Sequence, residues 1–549
     1  MNKLYYGDNL EIMRNMKKGS VDLIYLDPPF NSKRNYNLMY KSMTGKPVSE
    51  SVEAFCDTWE MDADKERVAK EMPVLMRQYG VDDYYVEFWR LWMQALRNTQ
   101  PHLLAYLVYM VERLLHMKVI LKTKGSIYLH CDPTASHYIK VMMDGIFGHA
   151  NFRNEIIWKR TSAHSSAKRY GPVHDTIFFY TKSDKYTWNR QSQAYDKDYV
   201  ERFYRFEDPK GQYRVGDLTG AGIRNGETGK EWKGINPSEK GRHWAVPTKL
   251  PEWVDCIKFK DMKPLKRLDK LDELGFIHWP KMRGGVPQFK RYYDESKGTS
   301  IQDIWVDINP IGAHSKDRLG YPTQKPLELL DRIILSSTNE GDVVFDPFCG
   351  CGTTIYSAHK NNRKWIGCDI AILAIKLIKH VLEERYRLSE GTHFEVNGIP
   401  ASVEQAQELF HHDPFQFEHW IVERVGAFPT KKTGDKGVDG RMYFETKGGL
   451  IDMVLSVKGG TIRPTDIRDL RGVLERENNA ELAGFISNKK PSKAMREEAA
   501  IAGTYEYNGI HYDRIQLLTI QEIMEEKKQF HTPSVVGIKE ATGQLNLSL

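Results

Sequence analysis

The chain has 549 residues, 40% hydrophobic and 28% charged, with a formal net charge of +6, a length that suggests about three or four folding units. An aromatic share of 11% and ordinary charge content exclude a disordered chain. A mean hydropathy of −0.55, with no apolar run near about 18 residues, excludes a membrane-spanning one. MNKLYYGDNLEI has no apolar stretch behind its single Lys, so no secretory signal is expected. Six sparse cysteines without zinc-ligand spacing fit a cytoplasmic protein rather than a disulfide scaffold.

Short apolar runs rich in Val, Ile and Tyr recur, and several end in an acidic residue. LYYGD (4–8), VDLIYLD (21–27), GSIYLHCD (125–132), NEIIW (154–158), TIFFYT (176–181), DVVFD (342–346) and WIGCD (365–369) read as buried strands. Helical patterns lie between them, notably over 85–122 and 371–387. Strands alternating with helices predict an α/β domain with a mostly parallel sheet. Residues 185–300 break the rhythm and read as an inserted, loop-rich module. A further α/β unit is predicted over 400–525, followed by a polar, loose tail at 526–549.

The charge is unevenly placed. Residues 151–330 hold 33 Lys and Arg against 24 Asp and Glu, whereas 401–549 hold 19 against 22. The basic segment also carries RFYRF (202–206), GRHW (241–244) and FKRYY (289–293). Basic residues interleaved with aromatics suit a surface that tracks phosphates and stacks on bases, although a solvated face of an ordinary domain would look the same.

Two motifs carry the chemistry. Asp27-Pro28-Pro29-Phe30 follows the strand LIYL, at the carboxyl end where open α/β sheets place their ligands. Two prolines stiffen the turn and remove backbone donors, leaving carbonyl acceptors. A carboxylate, a carbonyl and the flat Phe30 ring together suit an exocyclic base amine. The second motif is DPFCGCGTT (346–354), a strand, a Gly turn and a predicted helix, which suits close approach of a nucleotide-like ligand. It is neither a dinucleotide GxGxxG fingerprint nor a Walker loop. Asp369 ends the next strand, about where an acid binds ribose hydroxyls in related sheets.

With DPPF early, YPTQKP at 321–326 and DPFCGCGTT late, the chain resembles the amino-DNA methyltransferases of the β order. FRNEIIW (152–158) and HDTIFFY (174–180) are similar to type III modification subunits. The resemblance covers roughly residues 1–390 and implies a seven-stranded, mostly parallel sheet. It implies a catalytic loop at Asp27, Pro28, Pro29 and Phe30, and S-adenosylmethionine binding by Asp346, Phe348, Gly350, Gly352, Thr353 and Asp369. Lys325 and Pro326 match the motif before the cofactor strand, and Gly7-Asp8 matches a motif near the cofactor adenine. Expected boundaries are a catalytic half at 1–184, a target-recognition region at 185–305 and a cofactor half at 306–395. The substrate implied is a base flipped out of double-stranded DNA. An Asp-first motif favours adenine N6, with cytosine N4 as the alternative.

Residues 401–525 contain FQFEHW (415–420), DKGVDGRMYF (435–444) and MVLSVKGG (453–460), a spacing that resembles the PD-(D/E)xK core of Mrr-like restriction endonucleases. The resemblance implies Mg²⁺ at Asp439, with Glu418 as a further carboxylate and Lys458 as the catalytic lysine. Ser456 departs from it, standing where Glu or Gln is expected. The reading is therefore an adenine-N6 DNA methyltransferase of a restriction–modification system with a nuclease-like domain, partnered by DNA and by a second copy or a restriction subunit. Two rivals stand beside it: a self-contained restriction enzyme that cleaves with Mg²⁺, and a non-enzymatic DNA-binding regulator.

Overall fold

The computed structural model describes residues 1–29, 35–38, 52–56, 59–161, 168, 170–251, 254, 259–281, 285–294, 298–312, 315, 317–319, 324–430, 437–446, 449–477 and 479–533. It divides into two compact units, Arg190–Ile301 and the remainder.

The larger unit is built on a sheet whose central strands are the apolar runs read above. Its order is Ile304–Trp305, Phe152–Lys159, His174–Thr181, Leu121–Cys131, Val21–Leu26, Val343–Asp346, Lys364–Asp369, Asn2–Tyr6 and Phe394–Asn397. His174–Thr181 runs antiparallel to both neighbours, and the other pairings are parallel. The sheet thus has nine described strands, where the resemblance implied seven. The two edge strands, of two and four residues, account for the difference. They have little apolar periodicity to betray them.

Helices Ala63–Gln78, Asp83–Thr99 and Pro101–Ile120 pack together over the Val21–Leu26 and Leu121–Cys131 strands in one apolar core. The predicted helix over 85–122 is two helices. Gln100 leaves the helical conformation (φ −147°, ψ 65°), and Pro101, which lacks an N–H, starts the second. Pro101–Ile120 is buried nearly all round, so apolar residues lie on most of its faces, interrupted by Glu112, Arg113, His116 and Lys118.

The parallel order has a direct consequence for the site. Val21–Leu26, Val343–Asp346, Lys364–Asp369 and Asn2–Tyr6 are adjacent and parallel, with Asp346 opposite Gly367 and Tyr6 opposite Asp369. Asp27, Asp346, Asp369 and Asp8 therefore emerge at one edge of the sheet. That is the carboxyl edge, where such sheets bind ligands.

Beyond residue 400 a second sheet has the order Phe428–Pro429, Gly440–Thr446, Gly449–Lys458, Ala480–Ser487 and Ile515–Thr519. Its first two pairings are antiparallel and the last two parallel. Helices Pro464–Arg476 and Lys493–Ala500 cover it through Ile467, Leu470, Leu474 and Met495. Of the tail expected over 526–549, residues 534–549 lie outside the described residues; before them Phe530 is buried, and the His531 N–H donates to Gln516 at 2.7 Å. A single aromatic in a polar stretch was enough to anchor it.

The unit Arg190–Ile301 contains a four-stranded antiparallel sheet, Ile277–His278, Gln288–Tyr292, Gly211–Asp217 and Phe206–Asp208. Helix Pro264–Glu273 contributes Leu268 and Leu271 to a core with Trp232, Trp244, Phe259 and Phe276. The unit is thus more ordered than the loop-rich module read from sequence, and part of its aromatic content is core. Tyr204 and Trp244 are core residues, and Tyr292 donates to Asp208 at 2.7 Å. Lys290 also pairs with Asp208, at 2.8 Å, and is largely buried. Arg202, Arg205 and Arg291 are the exposed bases of those motifs.

Candidate functional site

The Gly turn after Val343–Asp346 is held from both ends. Asp346 is 3% exposed; its carboxylate accepts from the Phe348 N–H at 3.0 Å and the Thr354 hydroxyl at 2.5 Å. Burial raises its pKa to about 7, against those two hydrogen bonds. Gly352 has φ +86°, and a Cβ there would lie 2.8–2.9 Å from Ile378 and Tyr356, so only glycine lets the loop lie this close to the helices behind it. Thr353 starts the following helix, Thr353–Lys360, and its hydroxyl donates to the Lys325 carbonyl at 3.3 Å.

Asp369 closes the turn from the next strand. One carboxylate oxygen accepts from the Gly350 N–H at 2.8 Å, the other from Ala371 at 2.9 Å. Each oxygen keeps a lone pair beyond that bond. Burial pushes the carboxyl up to about 6, against the backbone donors. The Asp369 carbonyl accepts from the Gly7 N–H at 3.0 Å, which brings Asp8 to the same place.

Asp8 caps the helix Asn9–Asn15 by accepting from Leu10 N–H at 2.7 Å. Arg113 Nη2 reaches both Asp8 oxygens at 2.8 Å, and its Nε donates to Asn9 at 2.7 Å. Asn9 in turn donates to the Pro347 carbonyl at 2.8 Å. The Arg113 guanidinium stacks 3.4 Å over Tyr109, whose ring lies 6.3 Å from Phe348. Arg113, Asn9 and Tyr109 were not singled out from sequence. A lone Arg within LLAYLVYMVERLLHM was the available signal, since a buried guanidinium needs a partner.

At the neighbouring strand end, Asp27 forms an ion pair with Lys325, the two side chains being only 14% and 11% exposed. One oxygen, Oδ2, makes this pair, while Oδ1 is buried without a hydrogen-bond partner. The Lys325 ammonium thus lies on the acid of the Asp-Pro-Pro-Phe turn. Pro28 is buried and Pro29 partly so; Phe30 lies outside the described residues. Beneath Asp27, Tyr25 Oη is 2.9 Å from His130 Nδ1, and His130 Nε2 is 3.0 Å from Asp175. Asp175 is held below the usual carboxylate range by His130, Lys325 and Arg160, against burial, which acts to raise it.

The helix Pro414–Arg424, which precedes the second sheet in the chain, reaches this edge. Gln416 Nε2 donates to the Tyr6 carbonyl at 3.4 Å and packs on Gly7, where a Cβ would lie 2.8 Å from it. Glu423 accepts from the Ile372 N–H at 3.2 Å, three residues past Asp369. Burial, reinforced by Asp369, raises the Glu423 pKa to about 8. Nothing in sequence pointed to these contacts.

The expected metal residues come out differently. Asp439 is buried, and its Oδ2 accepts from the Val457 N–H at 2.6 Å; Ser456 is buried, Lys458 exposed and Glu418 partly exposed. Among the described residues, no three His, Cys, Asp or Glu side chains converge as metal ligands. No helix among the described residues is long and apolar enough to cross a membrane.

A mostly parallel sheet that carries Asp8, Asp27, Asp346 and Asp369 at its carboxyl edge defines a ligand-binding α/β architecture, and the sequence relationships agree. The profile of the DNA methylase family matches residues 21–380, so the chain belongs to that family. Type II methyltransferase M.EcaI of Enterobacter cloacae is 36% identical over 275 residues, covering 50% of this chain and 56% of that protein. The Mod subunit of the type III restriction-modification enzyme StyLTI of Salmonella typhimurium is 26% identical over 372 residues, covering 65% and 50%. The chain thus spans about half the length of these two relatives.

Proposed function

We propose that the chain methylates adenine N6 in double-stranded DNA, with S-adenosylmethionine as methyl donor, as the modification component of a restriction–modification system. The observation that carries the reading is Asp27 Oδ1, a buried carboxylate oxygen without a hydrogen-bond partner beside the Gly turn. Leaving a charged acceptor unsatisfied is costly, so the position suits an incoming N–H donor.

The residues at the neighbouring strand ends fit the cofactor. Asp369 retains lone pairs for ribose hydroxyls, and Tyr109 and Phe348 offer aromatic faces. Gly350 and Gly352 allow close approach, with Asp346 and Thr353 holding the turn; Asp8 is braced by Arg113. When bound, S-adenosylmethionine supplies a methyl group on a sulfonium, transferred as the nitrogen lone pair forms the new bond and the methyl–sulfur pair returns to sulfur. Asp27 Oδ1 accepts one hydrogen of the amine, and the Pro28 carbonyl accepts the other. That draws the nitrogen lone pair out of conjugation with the ring. Asp27 also takes the surplus proton from the methylated nitrogen.

For the carboxy-terminal unit we infer a nuclease-like fold that serves binding rather than cleavage. Support comes from its antiparallel-then-parallel strand order, and from Ser456 and the internally bonded Asp439, which disfavour a Mg²⁺ site. A partner restriction subunit is in keeping with the Mod relative. The test of the main reading is Asp27→Ala: methyl transfer to DNA should be abolished while S-adenosylmethionine affinity stays within a few fold of native. Near-normal turnover would remove Asp27 from the mechanism.

A further inference from the structure

We propose that Lys325 is the positioning residue for the catalytic carboxylate, holding Asp27 in the rotamer that presents its second oxygen to the target amine and tying that acid to the cofactor turn. The inference rests on the reading of Asp27 as the amine acceptor.

Three observations support it. Lys325 and Asp27 are 298 residues apart, yet their side chains form an ion pair at a largely buried site. The pair engages only Oδ2, leaving Oδ1 buried and without a partner. The Lys325 carbonyl accepts from Thr353, the first residue of the helix after the Gly turn. One residue thus joins the two half-sites, by its side chain to the acid and by its backbone to the turn. The helix that follows, Leu327–Ser337, is fixed to the same element: Asp331 accepts from Ser357 at 2.6 Å and from Asn361 at 2.7 Å. A shift of the cofactor turn would therefore move Lys325, and Asp27 with it.

The electrostatic role follows from the surroundings. Asp27 faces Asp346 from one neighbouring strand, Cys131 from the other, and Tyr25 from its own. Asp346 is a like charge when ionised, and burial disfavours any carboxylate. The Lys325 ammonium opposes both effects; it faces Asp175 in turn. Without it Oδ2 would lose its ion pair, and Oδ1 would no longer be fixed toward the amine.

The experiment compares native protein with Lys325→Met, Lys325→Arg and Asp27→Asn/Lys325→Met, reading single-turnover methyl transfer, S-adenosylmethionine Kd by calorimetry, and Tm. Lys325→Met should slow transfer by about 100-fold or more. Its Kd should stay within about threefold, since the side chain serves the acid and not the cofactor. Lys325→Arg should recover most of the rate. A native rate in Lys325→Met, or a loss of rate matched by loss of cofactor affinity, would overturn the proposal. Because an unpaired buried Asp27 could unfold Lys325→Met, Tm is read independently: the double variant should be more stable than Lys325→Met alone. Equal or lower stability of the double variant would overturn the pairing. A native chain inactive on all DNA, with this Tm coupling intact, would sink the methyltransferase reading and not the pair.

Discussion

Asp369→Asn is the sharpest probe of the cofactor side, because the substitution keeps shape and removes charge. In the native chain each carboxylate oxygen holds a different backbone N–H, from Gly350 at 2.8 Å and Ala371 at 2.9 Å. An amide presents one oxygen and one NH₂, so one of these N–H groups must then face another donor. Losing a hydrogen bond to a charged acceptor costs about 1.5–3 kcal/mol, and the ribose contacts weaken as well. A total of about 2–4 kcal/mol corresponds to S-adenosylmethionine binding roughly 30- to 1,000-fold weaker. Calorimetric titration measures it, with far-UV circular dichroism to show that the fold is kept. The native carboxyl titrates near 6 because of burial. Ribose hydroxyls donate to the ionised form, so native affinity should fall as pH drops through about 6, and the Asn variant should lack that fall. Binding within about threefold of native with an unchanged pH dependence would refute the assignment of Asp369 to the cofactor.

Three further outcomes follow. In the Arg190–Ile301 unit, Arg202→Ala/Arg205→Ala should reduce the salt dependence of DNA binding by about one unit of slope per lost phosphate contact, whereas Lys290→Ala should lower Tm instead, since Lys290 is paired with Asp208. Glu423 binds its proton more tightly in the folded chain, so the stability it lends is full below about pH 4.5 and is lost as pH rises to about 8. Glu423→Gln should therefore flatten the decline of Tm between about pH 5 and 8, read by calorimetric scans. Native protein should show slow or undetectable Mg²⁺-dependent nicking of unmethylated DNA. Robust cleavage abolished by Lys458→Ala would overturn the binding reading of the carboxy-terminal unit, and a gain in Ser456→Glu would identify the missing carboxylate as the defect.

The central strands were legible because buried parallel strands are continuous apolar runs, and here they end in the acids that face the ligand edge. Asp27, Asp346 and Asp369 could therefore be placed at strand ends before any contact was known. The pairings that organise the site were not legible. Arg113 meets Asp8 across 105 positions and Lys325 meets Asp27 across 298, and no local period encodes such distances. The interior of the basic segment was hidden for a related reason. Tyr204, Trp244 and Tyr292 alternate with bases as a stacking platform would, but a small unit rich in polar residues has few other groups from which to build a core. The short edge strands Ile304–Trp305 and Phe394–Asn397 escaped because they are set by pairing with a formed sheet rather than by composition.

The most direct test of the central claim is long-read mapping of modified bases in DNA from a host without methylases of its own, expressing either the native chain or Asp27→Ala. The account predicts N6-methyladenine at one recurring sequence with the native chain and none with Asp27→Ala. Unmodified DNA from cells making folded native protein, or the same modification with Asp27→Ala, would contradict it.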